Sequence, residues 1–366
     1  MIQQIPIQNF KINKIGRIHI EVTNICNFNC NFCPANLSKR KKISMELSFF
    51  KKIIDEIAEA KITKFIDFHV LGEPLLYPKI FDAIKYAKHK GFNTNINTNG
   101  SLLDQKTVKN LIKSGLDTLR ISIVSTREKD YLPRGSKTNY HDYFQRILTA
   151  IKLINESSSH MKIILQVWDT SDIRYFAADK DIRINGKKGE FKDSLFVLVK
   201  DILSVLSKED HFEKIRTNLN KMNFNSVKNI WTNIWIDDKV AIVVSKFFDW
   251  GNSFTKKRVY LTKIGYCKYG NDSLGILSNG NVVICCIDYD GRVCLGNLHS
   301  RSLVSILTSK RTQEIRDGLK KSILLHPYCQ RCFGAKSRFM VLIKILATTY
   351  IFKFRLRKEQ RDIILY

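Results

Sequence analysis

The chain has 366 residues, 44% of them apolar and 26% charged. That composition excludes wholesale disorder and collagen-like repeats, and the length suits about two domains at roughly 150 residues each. Lys and Arg exceed Asp and Glu by 27 charges, which favours polyanions such as nucleic acid, an acidic membrane surface or phosphorylated substrates without choosing among them.

The Lys-, Asn- and Ile-rich composition is a plainer source for part of that excess. Nine cysteines are too few for a disulfide scaffold at this length, and they fall into two groups. Cys26, Cys30 and Cys33 stand near the start; Cys267, Cys285, Cys286, Cys294, Cys329 and Cys332 stand near the end. The opening MIQQIPIQNFKINKIGRIHI lacks the continuous apolar stretch and small-residue cleavage site of a secretory signal. A reduced, cytoplasmic compartment is therefore expected, where close-set cysteines hold metal rather than pair.

In chain order, strands are predicted at 17–23, 64–70, 93–98, 117–124 and 161–168, and helices at 45–60, 78–90, 104–114 and 139–155. Alternating units of this kind predict an α/β fold with a parallel sheet and right-handed crossovers. Residues 169–190 read as an inserted loop, 194–208 as a helix and 238–250 as a sixth strand. The segment 274–298 reads as short strands around Asn279-Gly280 and Asp290-Gly291 turns. A helix is expected over 301–320, and the domain boundary near 255.

The first cysteines have the spacing C-x3-C-x2-C and directly follow the first strand, where open α/β sheets bind ligands. Three thiolates from one loop do not close a tetrahedral zinc site without a distant fourth ligand. They can hold three irons of a [4Fe–4S] cluster and leave the fourth open. A zinc knuckle borrowing His19 or another distant residue is the competing reading.

With Phe32 before the third cysteine and Pro34 after it, the motif resembles that of the radical S-adenosylmethionine (SAM) superfamily. Leu71-Gly72-Glu73-Pro74 resembles the family's Gly-Gly-Glu-like motif, with Leu71 in place of its first glycine. The resemblance implies a partial (βα)6 barrel, a [4Fe–4S] cluster on Cys26, Cys30 and Cys33, and S-adenosyl-L-methionine on its open iron. It further implies that Gly72 and Glu73 receive the methionyl amino group. Asn97, Asn99, Ser122 and Arg134 would belong to the same cosubstrate site, Arg134 as a cation for the methionyl carboxylate. Reductive cleavage of the cosubstrate to a 5′-deoxyadenosyl radical, which abstracts hydrogen from substrate, is the implied chemistry. A flavodoxin- or ferredoxin-like protein would supply the electron.

Cys267, then Gly280-x4-Cys285, then Cys329-x2-Cys332 resemble the SPASM auxiliary-cluster extension, in the shortened form called twitch. The resemblance assigns Cys267, Cys285, Cys329 and Cys332 to one auxiliary [4Fe–4S] cluster. Successive strand side chains face opposite ways, so Cys286 is left as a small buried residue, as is Cys294. A four-cysteine zinc ribbon is the competing reading. Asp288 is a candidate proton acceptor beside that cluster, with a turn aspartate as the alternative.

These assignments divide the chain into a core over 1–255, with an insertion at about 170–235, a cluster domain over 256–336 and a basic apolar tail over 337–366. The apolar part of the tail, 339–354, carries Lys344 and Lys353 and is too short for a spanning helix. Beside the basic run 355–358 it suits an interfacial helix on anionic lipid, against the alternative of a closing helix packed on the barrel.

The first strand lies close to the start, which argues against an N-terminal peptide-recognition domain and favours a small substrate. The expected function is oxidation of a sugar or similar hydroxylated metabolite. Ribosomal-peptide maturation is the alternative within the same chemistry, and a zinc-stabilised RNA-binding protein the alternative outside it. Nucleic acid is not expected as a partner of the enzyme.

Overall fold

The computed structural model describes residues 14–124, 126–169, 188–222, 231–246, 250–255 and 258–350. Most of the expected inserted loop (170–187) and the end of the tail (351–366) lie outside them. The first part runs β1 (Arg17–Ile20), α1 (Leu47–Glu59), β2 (Phe65–Phe68), α2 (Ile80–His89), β3 (Asn93–Thr98), α3 (Gln105–Lys113), β4 (Thr118–Val124), the short α4 (Glu128–Tyr131), α5 (Tyr140–Glu156) and β5 (Lys162–Asp169). Then come α6 (Lys188–Leu206), α7 (Phe212–Lys221), β6 (Trp231–Trp235) and β7 (Val240–Lys246). The last part contains α8 (Lys268–Asp272), β8 (Ser273–Ile276), β9 (Asn281–Val283), β10 (Cys294–Asn297), α9 (Leu303–Thr308), α10 (Lys310–Lys320), α11 (Pro327–Phe333) and α12 (Arg338–Thr348).

One sheet runs in the order β10-β9-β8-β1-β2-β3-β4-β5-β7-β6. Strands β1 to β5 and β7 are parallel, so the sixth parallel strand is the one expected over 238–250. The stretch expected as an insertion also contributes α6, which begins before the predicted 194 and packs on α5 in the crossover from β5 to β7. β6 closes the far edge antiparallel to β7. At the near edge β8 adds parallel to β1, and β9 and β10 continue antiparallel. The sheet is thus continuous across the expected boundary near 255.

Strand alternation sorts the two faces. Ile18, Ile66, Phe68, Ile96, Leu119 and Ile121 belong to the apolar core, with Phe50 of α1 stacked on Phe68. Their neighbours in sequence, His19, Asp67, Asn95, Asn97, Arg120, Ser122 and Gln166, take the inner face. On α1 the residues Phe50, Ile53, Ile54 and Ile57 are buried at helical spacing. The Asp104 and Asn139 side chains cap α3 and α5 by accepting the Thr107 and Asp142 amides.

The single helix expected over 301–320 is two. Ser309 leaves helical geometry (ψ 143°) and its hydroxyl accepts the Thr312 amide, so it caps a new helix instead of continuing the old one.

Candidate functional site

β1 delivers the chain into the loop bearing Cys26, Cys30 and Cys33, at the carboxyl edge of the parallel strands. The loop is fastened from below: the Asn29 and Asn31 amides donate to the Arg134 and Pro133 carbonyls at 3.1 and 3.0 Å. The Cys33 amide donates to the Cys30 carbonyl, and Pro34 then opens a short 3-10 turn. All three thiols are free and half-buried. Cys26 Sγ accepts the Phe28 amide at 3.4 Å and lies 3.9 Å from Asn99 Nδ2.

Burial raises the Cys26 thiol to about 11 and Cys33 to about 12. At Cys30 burial acts the same way, and the Arg134 cation opposes it. Thiols in this condition keep their protons until a cation replaces them. Three soft donors on one loop, one receiving an amide N–H, are a donor set suited to iron–sulfur ligation.

The Leu71–Pro74 turn meets this loop. Gly72 has φ +81°, and a Cβ there would collide with the Thr23 carbonyl oxygen and lie 2.9 Å from the Asn24 backbone. Glu73 is almost fully buried. It accepts the Thr98 hydroxyl at 2.7 Å, the Asn99 amide at 2.6 Å and the Leu75 amide at 3.1 Å. Burial raises its carboxyl to about 7 despite those donors.

Asn99 bridges outward, donating from Nδ2 to Asn27 Oδ1 at 2.9 Å. Asn97 accepts from Asn95 at 3.3 Å, and Ser122 sits on β4 opposite Gln166 of β5. Phe32 is buried edge-to-face on Trp168 at 5.1 Å and packs with Val124 and Phe254.

Arg134 is 2% exposed. It donates to the Tyr143 hydroxyl at 2.7 Å, the Ile123 carbonyl at 3.1 Å and the Asn99 carbonyl at 3.3 Å. Phe28, Tyr131 and Tyr143 surround the guanidinium at 4.8, 5.7 and 5.2 Å. Its donors therefore tie the 132–134 turn to α5, β4 and the end of β3, with the Phe28 ring of the cysteine loop against the guanidinium, and Nε is buried without a hydrogen bond among the described residues.

The second group gathers around one apolar pocket. Cys267, Cys285, Cys329 and Cys332 line it with Ile284, Leu319, Tyr328 and Phe333; Cys286 and Cys294 are not among its lining residues. Cys267 starts α8 and accepts the Gly270 amide at 3.3 Å. Gly251 lets the chain pass close, since a Cβ there would come 2.9 Å from Cys332 Sγ. Burial raises the Cys267, Cys285 and Cys329 thiols. Four thiols around an apolar pocket fit an auxiliary cluster with every iron ligated by protein. Among the described residues no three His, Cys, Asp or Glu side chains converge tightly enough for a single metal ion; a four-iron cube needs its thiolates spread wider.

Asp288 spends both carboxylate oxygens on its own turn, accepting the Arg292 and Val293 amides at 2.7 and 2.6 Å.

Several residues escaped the sequence reading. Thr98 and Asn27 belong to the Glu73 and Asn99 network, and Tyr143 to the Arg134 cage. The polar inner row was visible in principle, as the alternation RIH, FIDFH, NTNIN and LRIS along four strands.

The "Radical SAM superfamily" model matches residues 20–170, and the "Iron-sulfur cluster-binding domain" model of SPASM proteins matches 267–333. The chain belongs to the radical SAM superfamily and carries a C-terminal SPASM domain; its cofactors are a [4Fe–4S] cluster, S-adenosylmethionine and an auxiliary iron–sulfur cluster.

Over 29% of this chain it is 31% identical to the tungsten-containing aldehyde ferredoxin oxidoreductase cofactor-modifying protein of Pyrococcus furiosus, covering 30% of that protein. Over 27% of this chain it is 30% identical to the S-adenosyl-L-methionine-dependent 2-deoxy-scyllo-inosamine dehydrogenase of Niallia circulans, covering 41% of it. The matches thus span less than half of either relative. Streptococcus suis SuiB bound to its precursor peptide SuiA shares the fold at TM-score 0.51 and 15% identity, over 83% of this chain and 67% of that one.

Proposed function

We propose that this radical SAM enzyme oxidises an alcohol carbon of a sugar or similar hydroxylated metabolite to the ketone. The carrying observation is the apolar pocket lined by Cys267, Cys285, Cys329 and Cys332. A fully ligated auxiliary cluster there has no position for substrate and is left with electron transfer. The local similarity to an inosamine dehydrogenase supports the same reading.

When bound, the cluster on Cys26, Cys30 and Cys33 and the methionyl cosubstrate supply one-electron cleavage chemistry and a hydrogen-abstracting carbon. The chain's own residues position and shield that chemistry. Glu73 and the backbone at Gly72 receive the amino group as a charge-assisted contact. Asn99 and Ser122 orient the rest of the cosubstrate from the strand ends, with Asn97 lying deeper on β3 beside Arg120. Arg134 sets the height of the cysteine loop through its backbone carbonyl and carries the charge that opposes the effect of burial at Cys30. Phe32, Trp168 and Phe254 exclude water on one side.

The test is anaerobic reconstitution followed by iron and sulfide analysis. With both clusters of the four-iron type, about eight irons per chain are expected. Replacing Cys26, Cys30 and Cys33 together by Ala is expected to leave about four and to end 5′-deoxyadenosine production. Nucleoside release persisting in that variant would overturn the assignment of the first site.

Fold likeness to peptide-bound SuiB keeps ribosomal-peptide maturation as the second reading. A zinc-stabilised RNA-binding protein loses its basis once both cysteine groups match iron–sulfur families. A flavodoxin- or ferredoxin-like donor fits the basic charge of the chain.

Among the described residues no helix is long and apolar enough to cross a membrane. We further propose peripheral attachment of a cytoplasmic enzyme through α12. That helix exposes Phe339, Leu342, Ile343 and Leu346 along one stripe, with Tyr350 just beyond its end, while Val341 is buried and Lys344 donates inward to the Cys332 and Gly334 carbonyls. Basic residues stand at both ends of the stripe in the sequence, Lys336 and Arg338 before it and Lys353, Arg355, Arg357 and Lys358 after it. An anionic lipid surface complements both features.

A further inference from the structure

The inner face of the sheet carries charged and polar side chains that neither cysteine group uses. β1, β2 and β3 align His19, Asp67 and Asn95 in one row, and Asn97 of β3 lies opposite Arg120 of β4 in the next. Arg17 pairs with Asp67, and His19 Nδ1 lies 3.4 Å from the same carboxylate. Burial lowers both His19 and His69 to about 3, so the imidazoles are neutral. Arg17 and Arg120 then both face the Asp67 carboxylate, which Arg17 already engages.

Arg120 is 6% exposed. Among the described residues it has no hydrogen-bond or ion-pair partner, and its Nη2 is fully enclosed. Both His19 ring nitrogens and Asn95 Oδ1 are also buried without a hydrogen bond. Asp67 attracts Arg120 only through space and is already engaged by Arg17, so the several kcal/mol of desolvation at this guanidinium are not returned by any hydrogen bond among the described residues. Nor is this group spent on the cosubstrate network, whose members Glu73, Asn99 and Arg134 bond to one another and to the cysteine loop.

We propose that Arg120, with Asn97, Asn95 and His19 around it, is the binding site for an anionic group of the substrate, a phosphate or a carboxylate. The inference rests on the reading of the chain as an oxidase of a hydroxylated small metabolite and narrows that class to its acidic members. Asn97 and Arg120 stand two residues before Asn99 and Ser122 on their strands. The anion is therefore held about 7 Å, one pleat repeat, deeper than the strand ends that meet the cysteine loop. Substrate enters with its charged end inward and presents a carbon about that far from the anion.

The experiment uses the full reconstituted chain with inorganic phosphate as probe, acetate as the carboxylate probe and myo-inositol as the neutral control, all at fixed ionic strength. Saturable binding of phosphate or acetate, and a rise in melting temperature with it, are expected for the wild type. Arg120→Met is expected to weaken that binding at least tenfold and to melt no lower than wild type in anion-free buffer. Arg120→Lys is expected to recover part of the affinity.

Equal binding by Arg120→Met and wild type would assign the effect to the general basic charge and overturn the site. A variant that melts lower while still responding to phosphate would make Arg120 a structural residue and overturn it too. Production of 5′-deoxyadenosine, assayed separately, distinguishes the two failures. Anion binding absent with nucleoside formation intact removes this site alone, whereas nucleoside formation absent in the wild type removes the functional reading beneath it.

Discussion

Gly72 and Glu73 adjoin in sequence and depend on different physics. The glycine adopts a left-handed conformation at a point where the Thr23 and Asn24 backbone leaves no room for a Cβ. Gly72→Ala is expected to cost about 1–3 kcal/mol of stability and to weaken S-adenosylmethionine binding, read by denaturant unfolding and equilibrium dialysis. Unchanged values in both would show that the turn relaxes. Glu73 was legible as a candidate because its motif is local; its partners Thr98 and Asn99 lie a strand away and were legible only as a neighbouring motif. The Arg134 cage was not legible, since Phe28 is far from it in the chain, Tyr143 belongs to the next helix, α5, and an aromatic near a cysteine carries no signature of a cation. Arg134→Met should leave the Tyr143 hydroxyl and the Ile123 carbonyl without this donor, at a cost of about 2–4 kcal/mol. A loss below 0.5 kcal/mol in chemical denaturation would mean the cage contributes little.

At the scale of elements, periodicity located the parallel strands and the helices between them, because each helix buries one face and each strand alternates. It misjudged the 301–320 helix, where serine capping at Ser309 competes with continued winding. In α12 the same rule is inverted: the exposed stripe is the apolar one, and the inward side carries Lys344 over the Phe333 ring at 5.5 Å. Replacing Phe339 and Leu346 by Ser is expected to leave stability within about 0.5 kcal/mol and to reduce sedimentation with anionic vesicles about tenfold or more, as lost apolar burial in the interface requires. Wild-type protein that fails to sediment with such vesicles, or that buries the stripe by self-association, would exclude the lipid reading.

For the whole molecule, the decisive joint is β8 added to β1. Glu21 reinforces it from a fully buried position: it takes Arg40 in two bonds of 2.6 and 2.8 Å, the Leu71 amide at 3.1 Å and the Ser278 hydroxyl at 2.8 Å. The segment that follows the cysteine loop, the Gly72 turn and the cluster domain meet on one carboxylate. Unfolding is accordingly expected as one cooperative transition by fluorescence and far-ultraviolet circular dichroism, with Glu21→Ala losing about 3–5 kcal/mol. Two separated transitions in the wild type would show that the halves are energetically independent.

What the amino-acid sequence determined unaided was whatever is encoded within a few residues: two cysteine spacings, the Gly72-Glu73 turn, the alternation of strands and helices, and hence the family. What only the tertiary structure decided was which distant groups share a site, from the Glu21 hub and the Arg134 cage to Arg120, which is buried without a hydrogen-bond partner among the described residues. Local patterns arise from backbone geometry that repeats every few residues, whereas pairing across a sheet brings together side chains whose separation along the chain carries no periodic trace.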